Sequence, residues 1–314
     1  LGQDRANDRQ LIDPAPAVLR AKVFPVSHLS LAAGDFLLQL DPAHGGVVTR
    51  FDWRAMPLFR PAGGNSPLDS GCFVLVPFSN RIAHGRFVAH GRTIRVPANC
   101  PAVSHDHPLH GFGWLNPWQV VDRHATGAVL RQDHPAGSWP WAYAAQQRFD
   151  LDDSGLLHTL ELANLADKAM PAGLGFHPYF VRTAQTRYCG LHRREWQVGA
   201  DSLPTGVIAR DAPADWWHGA PVGTRAVDTV YDGRDGALAI TWPERGLTLT
   251  VQPSDNLRCT VVYTPADADF FCVEPVSHAT NAINRADPHN GMVWLAPGQT
   301  LTASVRYTVG PAPG

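Results

Sequence analysis

Apolar and polar positions along this chain alternate mostly with a period of two. Leu156, His158, Leu160 and Leu162 alternate with Leu157, Thr159 and Glu161. Leu247, Leu249 and Val251 alternate with Thr248, Thr250 and Gln252. Successive side chains of a strand point to opposite faces, so each run predicts a half-buried strand. Turn residues punctuate the runs at Asp152-Asp153-Ser154-Gly155, Gly233-Arg234-Asp235-Gly236 and Glu244-Arg245-Gly246. They predict hairpins over 146–163 and 237–252. Further strands are predicted at 35–40, 46–53, 72–76, 86–96, 117–131, 258–264, 269–274 and 300–308. Helical signal is thin. One short helix within 1–22 is interrupted by Pro14 and Pro16, and one helical turn is expected near 279–284. The pattern predicts an all-β protein, a large antiparallel β-sandwich with few short helices. It is read as a single domain over 1–314, with 1–22 as an N-terminal extension.

Composition narrows the function classes. The 28 glycines and 27 prolines suit many short elements joined by turns. Charged residues make up 17% and the net charge is −2, with both signs dispersed. No basic stripe exists to attract nucleic acid or an anionic membrane, so neither is expected as a partner. No stretch approaches the roughly 18 apolar residues of a spanning helix. Five scattered cysteines, Cys72, Cys100, Cys189, Cys259 and Cys272, form no CxxC pair and read as buried thiols. With a polar start that lacks the apolar core of a signal peptide, they predict a reducing, cytoplasmic setting.

Reactive groups concentrate in four segments: 77–87, 105–114, 175–180 and 270–284. Glu274 follows Phe270-Phe271-Cys272-Val273 and precedes Pro275. A carboxylate desolvated by such neighbours has a raised pKa and suits proton transfer. The alternative is a strand-end Glu that points to water. His177, in Gly175-Phe-His-Pro-Tyr-Phe180, is either a proton donor near neutral pH or a core histidine bonded to a backbone carbonyl. Pro178 biases it towards extended backbone. His110 precedes Gly111, which would permit close approach of a ligand. The spacing of His105, His107 and His110 resembles a metal set, but no carboxylate completes it, and the first two read as loop residues. Arg81 offers a fork of donors for hydroxyls or a carboxylate, or else a surface salt bridge. No GxSxG elbow, P-loop, GxGxxG or HExxH motif is present.

Taken in order, these segments resemble the aldose 1-epimerase, or galactose mutarotase-like, superfamily. The likeness is carried by Asn80-Arg81 with Gly85, Leu109-His110-Gly111, Gly175-Phe-His-Pro-Tyr-Phe180, Asp228 in Val227-Asp-Thr-Val-Tyr231, and Glu274 with Asn281 downstream. It implies a supersandwich with a sugar cleft on one sheet. It implies that Glu274 is the general base and His177 the general acid, with His110 beside the ring oxygen. Arg81, Asp228 and Asn80 would hold the sugar, and Trp114 or Tyr179 would pack on its apolar face. No metal or cofactor is implied, and the protein would act as a monomer or homodimer on a small-molecule sugar. Pro178 and the run Pro275-Val-Ser-His-Ala-Thr-Asn281 depart from the galactose-specific branch and look closer to the diverse bacterial branch. Arginines gathered at the cleft mouth would mark an anionic sugar. The alternatives are a non-catalytic sugar-binding or sensor protein on the same fold, and a metal enzyme built on the three histidines.

Overall fold

A computed structural model describes residues 28–209, 216–286 and 291–313. The predicted extension and helix at 1–22 lie outside them. Eighteen strands form one hydrogen-bonded network, and two small ribbons complete the fold. The architecture is a large antiparallel β-sandwich whose only helical pieces, among the described residues, are single 3₁₀ turns. The turn expected near 279–284 is one of these, at Ala282–Asn284.

Both predicted hairpins form. Tyr143–Asp152 pairs with Gly155–Asn164 around Asp153, and the end of Asp228–Trp242 pairs with Leu247–Pro253 around Arg245. Two predicted strands each prove to be a hairpin. Arg86–Ala89 and Arg92–Arg95 are joined by His90 and Gly91, whose φ angles of 50° and 71° make a tight two-residue turn. Gln119–His124 and Gly127–His134 likewise flank a turn inside 117–131. The opposite difference occurs at Gly233–Gly236. That segment is not a turn, because Asp228–Trp242 runs through it. Gly236 (φ 77°) lies in the stretch between Asp235 and Ala239 that absorbs a register shift opposite Cys189 and Leu191.

This long strand ties the layers together. Its first part pairs with Cys259–Tyr263 and its last part with Leu247–Pro253. Between the layers lies a core rich in aromatics, including Phe51, Phe59, Phe180, Trp242 and Tyr307. A second apolar cluster, with Phe73, Tyr179, Trp196, Val261 and Cys272, lies on another face of the strands. That face carries the candidate site.

Candidate active site

The site is built by strand register. Gly175–Val181 pairs with Cys72–Leu75 on one side and Phe270–Val276 on the other. Phe73 faces His177. Gly175 faces Val276 and Tyr179 faces Cys272, so His177 falls opposite Glu274. Glu274 in turn faces Val261 on Cys259–Tyr263. The next row on the same face runs Tyr179, Cys272, Tyr263 and Asp228. Pro178 and Pro275 have no N–H, so the ladder loses two donors beside the His177–Glu274 pair, while both prolines keep it extended.

Two loops roof this floor. Asn80 and His110 both take left-handed backbone, with φ of 56° and 58°, a conformation that costs a non-glycine residue about 1–3 kcal/mol. Each supports the other. The Asn80 N–H donates to His110 Nδ1 at 3.1 Å, and the His110 N–H donates to the Asn80 carbonyl at 2.9 Å. Because Nδ1 accepts, the neutral His110 ring carries its proton on Nε2 as a donor. Gly111 is required for packing rather than for a ligand: a Cβ there would meet the Val76 carbonyl oxygen at 2.1 Å. Asn281 braces the other loop, accepting from the Ala83 N–H and donating its own backbone N–H to the Arg81 carbonyl.

The result is a cleft of about 310 Å³, lined by Asn80, Arg81, His110, His177, Tyr179, Asp228 and Glu274. Leu68, Val103, Leu109, Val261 and Tyr263 complete the wall. Of the catalytic and sugar-holding residues that the resemblance implied, Trp114 alone does not line the cleft. It is buried behind Phe73, ring centroids 5.3 Å apart, with Nε1 donating to the Leu109 carbonyl. A larger hollow of about 430 Å³ around Arg194, Asp232, Arg234 and Arg258 has no histidine in its lining.

His177 Nε2 lies 3.3 Å from Glu274 Oε1, and both side chains are almost wholly buried. Burial holds the Glu274 carboxyl well above its usual range; nearby Asp228 adds to this and Arg81 opposes it. Burial pushes His177 far below its ordinary value, and Arg60 adds to the effect. His110 is also held low, first by burial and then by His177 and Arg81. Asp228, at the rim, is raised by desolvation against the pull of Arg81. Both shifts run the same way: the carboxyl resists ionising and the imidazole resists taking a proton. The pair's remaining buried atoms, His177 Nδ1 and Glu274 Oε2, have no protein partner.

The metal-type histidine spacing does not converge. His105 is exposed on Asp106, His107 accepts from the His84 N–H, and His110 is committed to Asn80.

The aldose 1-epimerase family model matches residues 42–308. The chain belongs to the aldose 1-epimerase family. An uncharacterized Escherichia coli K12 protein, YphB, is 32% identical over 307 residues, covering 91% of this chain and 98% of the relative. An E. coli K12 crystal structure described as a candidate aldose 1-epimerase superposes with a TM-score of 0.83 at 30% identity, covering 91% and 99% of the two chains. A galactose mutarotase-like protein from Clostridium acetobutylicum shares the fold, with a TM-score of 0.81 at 18% identity and coverage of 91% and 95%.

Some parts of the cleft of this aldose 1-epimerase family member carried little sequence signal. Asn99 clamps the His110 loop. Its Nδ2 donates to the Leu109 and Gly111 carbonyls at 2.9 and 2.6 Å, and its Oδ1 accepts from the Leu109 N–H at 2.7 Å. Phe73 stacks on His177 with centroids 4.5 Å apart, and Arg60 sits 4.0 Å from the Tyr179 ring centroid. Phe73 lies in an apolar strand run and Arg60 among turn residues, so neither was distinguishable from its neighbours.

Proposed function

We propose that this protein interconverts the α and β anomers of a free hexose or hexose derivative, with Glu274 as base and His177 as acid. The observation that carries this reading is the buried His177–Glu274 contact of 3.3 Å on the floor of a polar cleft.

Mutarotation needs one proton removed from the C1 hydroxyl and one delivered to the ring oxygen. A pair that shares a single proton does both without exchange with solvent. In its ionic arrangement, Glu274 is a carboxylate and His177 an imidazolium. Glu274 takes the C1 proton, the C1–ring-oxygen bond breaks, and His177 protonates the ring oxygen. The pair is then neutral, the form that the buried floor favours. Rotation about C1–C2 presents the other carbonyl face. Glu274 returns its proton to the carbonyl oxygen, His177 takes back the hydroxyl proton, and the ring closes. His110 Nε2–H supplies a fixed donor to the ring oxygen, and Arg81, Asn80 and Asp228 hold hydroxyls. Tyr179 is the aromatic wall.

Among the described lining residues Arg81 is the one arginine; Asp228 offsets it, and the His177–Glu274 pair with its one proton is neutral as a unit. This balance supports a neutral sugar over a phosphorylated one.

The test is exchange NMR between α and β signals on a panel of neutral, acidic and phosphorylated hexoses. Glu274→Gln is expected to lose about 10²–10⁴-fold in exchange rate, the usual worth of one positioned proton transfer, while sugar binding stays measurable. Near-wild-type exchange in that variant would overturn the assignment of the base. Sugar binding without exchange in the wild type would make the protein a binding module.

A further inference from the structure

Cys272 has no part in the proton transfers above, yet it lies on the same floor. Strand alternation puts residues 272 and 274 on one face, and Cys272 is fully buried beside the pair. One ligand atom each of His177, Cys272 and Glu274 lies within 4.8 Å of the others. We propose that these three side chains form a binding site for a thiophilic divalent cation such as Zn²⁺, and that the ion inhibits the enzyme by occupying its acid–base pair.

The geometry is close to what such an ion needs. Zinc binds imidazole nitrogen and carboxylate oxygen at about 2.0–2.1 Å, so in a tetrahedral site these two ligands lie about 3.3–3.4 Å apart. The His177 Nε2–Glu274 Oε1 separation is already 3.3 Å. A thiolate at about 2.3 Å from the ion sits about 3.6 Å from either partner, so each sulfur-to-partner separation has to close by no more than about 1.2 Å. Three protein ligands leave a fourth position for a water or a sugar hydroxyl, since His177 and Glu274 line the cleft.

Charge and ligand type select the ion. One thiolate, one carboxylate and one neutral imidazole give a neutral site around a divalent cation, which suits burial. A sulfur–nitrogen–oxygen set favours zinc, cobalt or cadmium over magnesium or calcium, which seek oxygen. Binding displaces the thiol proton and the proton of the pair to solvent. Without the ion, burial keeps the Cys272 thiol neutral, so it does not compete with Glu274 for protons.

The inhibition rests on the function proposed above; the coordination does not. Co²⁺ titration followed by absorption separates the two. The wild type is expected to show a thiolate-to-cobalt charge-transfer band with the intense visible bands of a four-coordinate site, removed by excess Zn²⁺. Cys272→Ser and Cys272→Ala, checked for folding by thermal melts, should lose the charge-transfer band and bind at least about tenfold more weakly. Both variants should keep basal exchange while Zn²⁺ inhibition shifts by the same factor and EDTA restores the wild type. Cobalt bound without a thiolate band, a band that persists in Cys272→Ser, or unshifted zinc inhibition in both variants would each overturn the proposal. A Cys272-dependent band with no inhibition would uphold the metal site and overturn the assignment of the catalytic pair.

Discussion

Asn99 provides the sharpest test of how the cleft is held. Its side chain makes three hydrogen bonds to the backbone of 109–111, at 2.9, 2.6 and 2.7 Å. At about 0.5–1.5 kcal/mol net for each bond, Asn99→Ala removes about 1.5–4.5 kcal/mol of local support. The loop it releases carries His110 at φ 58°, a conformation that costs about 1–3 kcal/mol to maintain. The support and the strain are of similar size, so losing the clamp should let the loop relax and His110 swing off its donor position. A misplacement of about 1 Å at a reacting centre can cost about 10²-fold, so kcat in exchange NMR should fall by about 10–100-fold. The melting temperature should fall as well. Asn99→Asp separates clamp from bulk. It keeps the acceptor for the Leu109 N–H but sets a carboxylate against two carbonyl oxygens, and should be no better than alanine. Wild-type kcat in Asn99→Ala, whatever its melting temperature, would refute the view that this residue positions His110.

Two further outcomes follow from the shared proton. With His177 lowered and Glu274 raised, the pair carries one proton from well below pH 6.5 up to the raised value of Glu274. The active form is that one-proton form, so kcat/KM should show no acid limb at the ordinary histidine value, and an alkaline limb where Glu274 ionises while His177 stays neutral. An acid limb near the ordinary histidine value in the pH–rate profile would sink the shared-proton scheme. His177→Asn should lower kcat more than it alters KM, because a proton donor acts chiefly in the transition state; steady-state kinetics showing a change in KM alone would make His177 a binding residue.

Strand periodicity was legible because it is local. The hairpins around Asp153 and Arg245 were visible in runs of alternation bounded by turn residues. Arg187–Val198 was not. Its buried positions are Tyr188, Gly190, His192, Glu195 and Trp196, interleaved with several arginines, so burial follows tertiary contact rather than side-chain polarity. The split at His90-Gly91 was missed for a related reason. A histidine seldom takes positive φ, and what holds it here includes a hydrogen bond to the distant Ala169 carbonyl.

The floor of the cleft shows where local reading ends. Glu274 in its own segment is one carboxylate after four apolar residues, and His177 is one histidine among aromatics. Their pairing depends on a register set by Gly175 opposite Val276 and Tyr179 opposite Cys272, across a loop of about a hundred residues that no local pattern spans. The same register brings Cys272 within reach, a residue that reads from sequence as one more buried thiol. The prolines beside the pair have a physical place in this. They remove ladder bonds where the two reactive side chains meet, yet Phe73 stacked on His177 and the neighbouring strand Cys259–Tyr263 keep the floor closed. Desolvation of both groups is therefore a property of the sheet, and it is desolvation that sets the charged form of the histidine and of the carboxylate at a disadvantage.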